Sequence, residues 1–483
     1  MSGASLKRDF SIALATRLAL AMIHIATTAV IARLLTPAEL GVYAVAIGLV
    51  MLVEAMRVFG VNSYVVRADT IDAPLVRSAL GLSAVFSLAL ALAALALAEP
   101  AGAFYGSEGV ARCIRILALN MAISPWPGLA QALLQRSRRF RALLHVQVWP
   151  ALIGGAVSIL LVLAGFSYEA LAWSVLAQSL VMLAIAVTAR PEAFVWRPRF
   201  GGFAPLLSFG AALTAANVAN QIGARMDELV LGRVQGLAPA ALYDKAGALS
   251  RLVWVYLFPA LSQVLLPTFA QEIAAGEKAE DVYLRRLSIG AVLLWPLLAG
   301  LALFSWPLIA ILYGTQWLAA APVASVLAVA TMFSGPFVIA QTLLVASGAP
   351  GRVLRLQSVF QIARVALLLL LAPYGLLPVA GGMLVSSVFY AGLSQHHARS
   401  ELGLRWRAIG RALAPSLAVS LISALAGGVV VAIFGWKPVT SPLLVVVLAM
   451  PVMALAWYGA VIRLRHPLAD HLPRPRRPDP PLP

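Results

Sequence analysis

The chain is 483 residues long, 61% hydrophobic and only 11% charged, with a mean hydropathy of +0.90; these values exclude a soluble globular protein. The formal net charge is +17, but its Lys and Arg are scattered through short breaks between apolar runs, a distribution that excludes nucleic acid as the partner. The single cysteine, Cys113, leaves no intramolecular disulfide and no cysteine-cluster metal site.

Apolar runs long enough to cross a hydrocarbon core of about 30 Å recur from end to end. Breaks at Gly, Pro and charged residues delimit fourteen predicted helices, near 10–35, 39–61, 77–98, 114–135, 143–165, 169–189, 203–231, 239–267, 287–312, 321–346, 354–372, 376–397, 410–434 and 441–463. The first run is too long for the apolar region of a cleavable signal and is expected to stay as a signal anchor. An even number of spans puts both termini on one side. With the N-terminus inside, the inner breaks hold 25 Lys and Arg and the outer breaks 5, the other 6 lying within helices. Lys and Arg resist translocation, so both termini are expected on the cytoplasmic side. Residues 466–483, rich in Pro and Arg, are expected to form a disordered tail.

Ionisable groups inside a membrane are costly and normally face a cavity or one another. Arg17 and His24 in helix 1 are seven residues apart, with Thr28 four further on, so they share one face. Glu54 and Arg57 in helix 2 form an i,i+3 pair, best read as a structural salt bridge. Helix 7 is the most polar, with Asn217, Asn220, Gln221, Arg225 and Glu228 at spacings of three and four and Asp227 beside them. Helix 8 carries Asp244, Lys245 and Arg251, and helix 11 carries Arg364 with Gln357 and Gln361 on its face.

The stretch from Val30, VIARLLTPAELGVYAVAIGLV, lines up at an offset of 200 residues with VLGRVQGLAPAALYDKAGALS from Val230. An offset spanning six helices predicts parallel-topology repeats: an N-terminal bundle over 1–200, a second over 201–400, and two added helices over 401–465.

Seven segments in order carry a family resemblance: ARLLTPAELGVYAVA (Ala32–Ala46), FGVNSYVVR (Phe59–Arg67), ALLQRSRRFR (Ala132–Arg141), WRPRF (Trp196–Phe200), FPALSQVLLPTFAQ (Phe258–Gln271), ILYGTQWLAAAPV (Ile311–Val323) and ASGAPGR (Ala346–Arg352). Together they resemble the polysaccharide-exporter, Wzx-like branch of the multidrug/oligosaccharidyl-lipid/polysaccharide flippase superfamily. The resemblance implies an all-α membrane fold of two six-helix bundles in a V, opening alternately to either face. It also implies an undecaprenyl-pyrophosphate-linked oligosaccharide as cargo.

Such a cargo calls for a polar, cationic cavity while its prenyl tail stays in lipid. Arg17 could grip a phosphate bidentately or snorkel to headgroups, and His24 could bond it or carry a proton. The amides of Asn217, Asn220 and Gln221 suit sugar hydroxyls, or helix–helix hydrogen bonds. Arg225 is a candidate that could instead pair with Glu228. Lys245 is a candidate pyrophosphate anchor, unless tied to Asp244 or Asp227, and Arg251 and Arg364 complete the cationic set. Rival functions are a cation-coupled drug exporter, using Asp227, Glu228 or Asp244 for the ion, and a flippase for the peptidoglycan lipid precursor. A membrane glycosyltransferase or polymerase is remote, because the outer breaks are short and chiefly offer Glu39, Glu99 and Glu108, with no nucleophile–base set. No cofactor or metal is expected; an H⁺ or Na⁺ gradient is the candidate energy source. Expected partners are membrane lipids and the polysaccharide polymerase and export machinery.

Overall fold

The computed structural model describes residues 3–57, 61–67, 71–137, 139–189, 195–201, 203, 218, 221–253, 272, 276–335, 338–346, 350–434 and 442–471. Every regular element among them is a helix. Eleven are long and apolar enough to cross a membrane, and they match eleven of the fourteen predicted spans. Two of the others, 203–231 and 239–267, run in part through residues outside the described set.

The remaining one, 114–135, is two shorter helices, α5 (Glu108–Ile123) and α6 (Pro125–Arg136), broken at Ser124. Pro125 and Pro127 lack the N–H groups that would continue the backbone ladder, so the chain restarts with Pro at its first position. Hydropathy does not register such a break, because both pieces are apolar.

The chain folds into two compact units. The first comprises Met1–Lys245 with two returning segments, Leu312–Ala319 and Leu368–Leu376. Its helices before α5 are α1 (Gly3–Leu34), α2 (Pro37–Arg57), α3 (Val61–Arg67) and α4 (Ala73–Tyr105). After α6 come α7 (Phe140–Leu161), α8 (Glu169–Thr188), α9 (221–234) and the start of α10 (Leu237–Leu252). Local chemistry sets the boundaries. Thr36 and Glu39 cap α2 reciprocally, the Thr36 amide donating to the Glu39 carboxylate at 2.8 Å and the Glu39 amide to the Thr36 hydroxyl at 3.3 Å. Asp72 accepts from the Leu75 amide at 2.9 Å to start α4, and Gly106, at φ 63°, ends it.

The two repeat stretches meet inside this unit. A Cβ on Gly41 would stand 2.0 Å from the Leu237 carbonyl oxygen, and one on Gly232 would stand 2.7 Å from a Val45 methyl. Small residues let the helices approach this closely where lipid supplies no hydrophobic drive for packing. The segment Leu312–Ala319 closes the end of α1: the indole N–H of the fully buried Trp317 donates to the Ala32 carbonyl at 2.7 Å. Gln316 Nε2 donates to the same oxygen at 2.6 Å and to the Leu35 carbonyl at 3.1 Å, satisfying acceptors a helix end leaves open.

The second unit holds Ala246–Ile311, Ala320–Leu367 and Leu377–Pro483. Its main helices are α11 (Ala279–Leu303), α12 (Ser305–Leu312), α13 (Ala321–Ser334), α14 (Val338–Ala346), α15 (Pro350–Leu371), α16 (Leu376–Leu402), α17 (Trp406–Phe434) and α18 (Pro442–Arg463). α17 packs along α11 and α18, burying Val430, Val431, Val445 and Ala449 around Phe304.

Residues 466–471, expected to open a disordered tail, are instead an ordered turn: Pro467–His471 is a short 3₁₀ segment packed on α11, and His466 is buried. The reason is polar. His466 Nε2 lies 2.9 Å from both Ser288 Oγ and Ser416 Oγ, and its Nδ1 accepts from the Leu468 amide at 3.1 Å. Residues 472–483 lie outside the described set.

Candidate functional site

On α1, Arg17 and His24 are both exposed. Neither side chain is covered by packing against the described residues, while Thr28, four residues further on, is half-buried.

In the described part of helix 7, α9, Gln221 is half-buried, while Asn217 and Asn220 fall outside the described residues. Arg225 turns along its own helix to Glu228, with Nη1 3.2 Å from Oε2, and its Nη2 lies 2.9 Å from the Met51 sulfur of α2. Glu228 is buried, and the absence of a side chain at Gly48 leaves α2 close to its carboxylate. The Arg225 Nε is buried without a hydrogen-bond partner. In a medium of low dielectric each charge needs the other. Asp227, next along α9, is half-buried.

On α10 the Lys245 ammonium sits 3.4 Å from the Asp244 carboxylate, both side chains mostly buried. Thus the pairing alternatives for Arg225 and Lys245 are the ones the structure forms. Arg251, in the last turn of α10, is exposed, with its guanidinium folded back over Gly247.

Arg364 is half-buried on α15, within the second unit. One and two turns before it, Gln361 has a buried, unpartnered side-chain oxygen and Gln357 donates to Gln341 Oε1 at 3.4 Å. Gln341 of α14 hydrogen-bonds in turn to the Tyr390 hydroxyl of α16, whose ring packs 4.7 Å from that of Phe360. This set of amides and a phenol on three helices can both donate to and accept from a hydroxyl-rich ligand. Gln341 and Tyr390 escaped sequence reasoning. The usable signal was an amide, Gln341, within an otherwise apolar run.

A cavity of about 440 Å³ in the same unit is lined by Leu293, Pro296, Met450, Met453 and Trp457 among others. Its Ser423 hydroxyl already donates to the Met453 carbonyl at 3.0 Å, so the cavity offers hydrocarbon surface and no free polar group for a sugar.

Outside the spans, Glu272 bridges Arg285 and Arg286 at 3.0 and 2.9 Å. Burial pushes its carboxyl pKa up, but the hydrogen bonds from Arg286 and Arg285 outweigh this and hold it below the ordinary carboxylate value.

A protein-family model described as "Polysaccharide biosynthesis protein" matches residues 30–322, more than half of the chain. The chain belongs to that family. Among curated relatives, the succinoglycan biosynthesis transport protein ExoT of Rhizobium meliloti is 28% identical over 309 residues, 62% of this chain and 61% of the relative. The lipopolysaccharide biosynthesis protein WzxC of Escherichia coli is 23% identical over 313 residues, again 62% of this chain and 61% of the relative. The teichuronic acid biosynthesis protein TuaB of Bacillus subtilis is 27% identical over 235 residues, 47% of each chain. The chain thus spans about half to three fifths of the length of the curated relatives it matches.

Among solved structures, the lipid II flippase MurJ in an inward closed conformation superposes with a TM-score of 0.72 at 13% identity, covering 94% of this chain and 100% of that one. An inward-facing multidrug resistance transporter of the MATE family superposes with a TM-score of 0.64 at 16% identity, covering 80% and 94%. The family member described here therefore has the all-helical, multi-pass fold of those transporters.

Proposed function

We propose that this protein is a flippase carrying undecaprenyl-pyrophosphate-linked oligosaccharide from the inner to the outer leaflet of the bacterial inner membrane, for surface or exopolysaccharide assembly. The observation that carries the reading is the family match across residues 30–322. The transporter fold, and relatives named for the biosynthesis of three different polysaccharides, support it. Transport rather than catalysis is the activity proposed. The termini face the cytoplasm in this reading, and the six-helix halves over 1–200 and 201–400 rock by alternating access.

Cargo binding falls to the polar groups of the spans. Arg17 and His24, exposed on α1, are suited to phosphate, and the amides of helix 7 and the Gln357 cluster to sugar hydroxyls. Arg225 and Lys245 are each neutralised by a carboxylate, Glu228 and Asp244, so pyrophosphate has to compete with those partners. Protonation of either carboxylate would release its cation to the anionic cargo, one physical route by which an H⁺ gradient couples to loading; Na⁺ at Asp227, Glu228 or Asp244 is the alternative ion. Polysaccharide polymerase and export machinery are the partners downstream.

Deletion tests the reading. A null strain should accumulate undecaprenyl-linked oligosaccharide on the cytoplasmic face while the assembly enzymes stay active. Unchanged surface polysaccharide and lipid-linked pools would overturn it.

A further inference from the structure

The first unit carries a second group of cations, at one end of its helices. α4 begins there, α6 ends there, α7 begins and α8 ends, and by the charge bias of the breaks this is the cytoplasmic end. A strip over 195–201, without regular secondary structure, runs across it. The strip is pinned: the Arg199 amide donates to the Arg77 carbonyl at 2.9 Å, and the Trp126 indole donates to the Trp196 carbonyl at 3.3 Å. A Cβ on Gly81 of α4 would stand 2.1 Å from the Arg199 carbonyl oxygen, so strip and helix are in direct backbone contact.

This seat gathers Arg77, Arg197 and Arg199, all exposed, and none makes a side-chain hydrogen bond or ion pair with a described residue. Trp196 and Phe200 flank them, 52% and 69% exposed. Two neighbouring arginines behave differently. Arg139 donates to the Ala189 carbonyl at 3.0 Å and Arg136 to the Val65 and Val66 carbonyls at 3.4 Å, so these two build the local structure. Asp72, also nearby in sequence, is engaged as the cap of α4. In the second unit Arg285 and Arg286 are paired with Glu272 and Glu277, and Arg352 with Glu401.

Two guanidinium groups on a short, pinned strip and a third beside them on α4, with no ion-pair partner among the described residues, repel one another, an arrangement that favours an anion held by several of them at once. Exposed Trp and Phe at a helix end mark the bilayer interface, where lipid phosphates lie. A monoanionic phosphodiester needs one fork; three forks match a group with more than one negative charge. Resting on the flippase reading above, we propose that Arg77, Arg197 and Arg199 dock the diphosphate headgroup of the cargo lipid at the cytoplasmic face before transport.

The test uses the full-length protein in phosphatidylcholine nanodiscs, titrated with undecaprenyl diphosphate and, separately, with phosphatidylglycerol at matched charge. R197A/R199A and R77A should each bind the diphosphate lipid about ten-fold more weakly, while R197K/R199K keeps part of the affinity. Unchanged binding by the alanine variants overturns the proposal, and so does displacement by phosphatidylglycerol at equal charge, which gives the patch to bulk lipid. In a transport assay with lipid-linked oligosaccharide, R197A/R199A should raise the half-saturating concentration and leave the maximal rate unchanged. Failure of the unmodified protein to transport would overturn the flippase reading alone, since binding to the patch is measured independently.

Discussion

The guanidinium of Arg225 lies 3.2 Å from the carboxylate of Glu228, one turn further along the same helix, and the carboxylate is buried. Two charges this deep in a membrane segment stabilise little as a pair, yet each is costly alone. Glu228→Gln, which leaves Arg225 uncompensated, should destabilise the protein by about 3 kcal/mol, whereas the double change Arg225→Met with Glu228→Met should be close to neutral. Thermal unfolding in detergent or nanodiscs checks both. Equal losses for the single and double variants would deny the coupling.

His466 gives the fold a defined response to acid. Burial pushes its pKa down to about 4, and the amide of Leu468 donating to Nδ1 leaves the proton of the neutral ring on Nε2, towards Ser288 and Ser416. The unfolded chain binds a proton near the ordinary value of about 6.5. Stability from the neutral ring is therefore complete above about pH 6.5 and is lost as the pH falls towards 4, by about 3 kcal/mol in total. Melting curves between pH 7 and about pH 5 should show this slope in the native protein and a flatter one in His466→Gln.

Trp317 is fully buried and donates to the Ala32 carbonyl at 2.7 Å. Trp317→Phe removes that donor and part of the packing volume and should cost about 2 kcal/mol; Trp317→Ala, which opens a cavity, should cost about 4 kcal/mol. Thermal midpoints of the purified variants order the two effects.

Gly41 sits where α2 meets the backbone of Leu237, with no space for a methyl group. Gly41→Ala forces apart two helices in backbone contact and should cut membrane abundance several-fold, through a loss of about 3 kcal/mol or more. Gly381→Ala, at a position with open space, is the control and should leave abundance unchanged.

Much of this architecture is legible in the sequence, for a physical reason: a bilayer demands long apolar helices, and hydropathy reports them directly. Spacing also carried the Arg225–Glu228 pair and the neighbouring Lys245 and Asp244, because partners one turn or one residue apart are visible in a linear string. Contacts between distant residues were not. Gln341 and Tyr390 are 49 positions apart, and the strip at Trp196–Phe200 reads as topology-setting charge until its backbone is found against Arg77 and Gly81. His466 was hidden by context, since the Pro- and Arg-rich residues after it point to disorder while its own partners are 50 and 178 residues away. The alignment at an offset of 200 residues acquired a three-dimensional meaning that similarity alone does not carry: Gly41 and Leu237 come from its two copies and touch.

The most direct measurement is translocation by the purified protein. Reconstituted in vesicles with lipid-linked oligosaccharide on one leaflet, the native protein should move the glycan to a lectin- or enzyme-accessible position on the other, faster than protein-free vesicles and faster than Lys245→Ala or Arg364→Ala at equal protein content. A rate equal to that of protein-free vesicles, under every H⁺ and Na⁺ gradient imposed, would contradict the account.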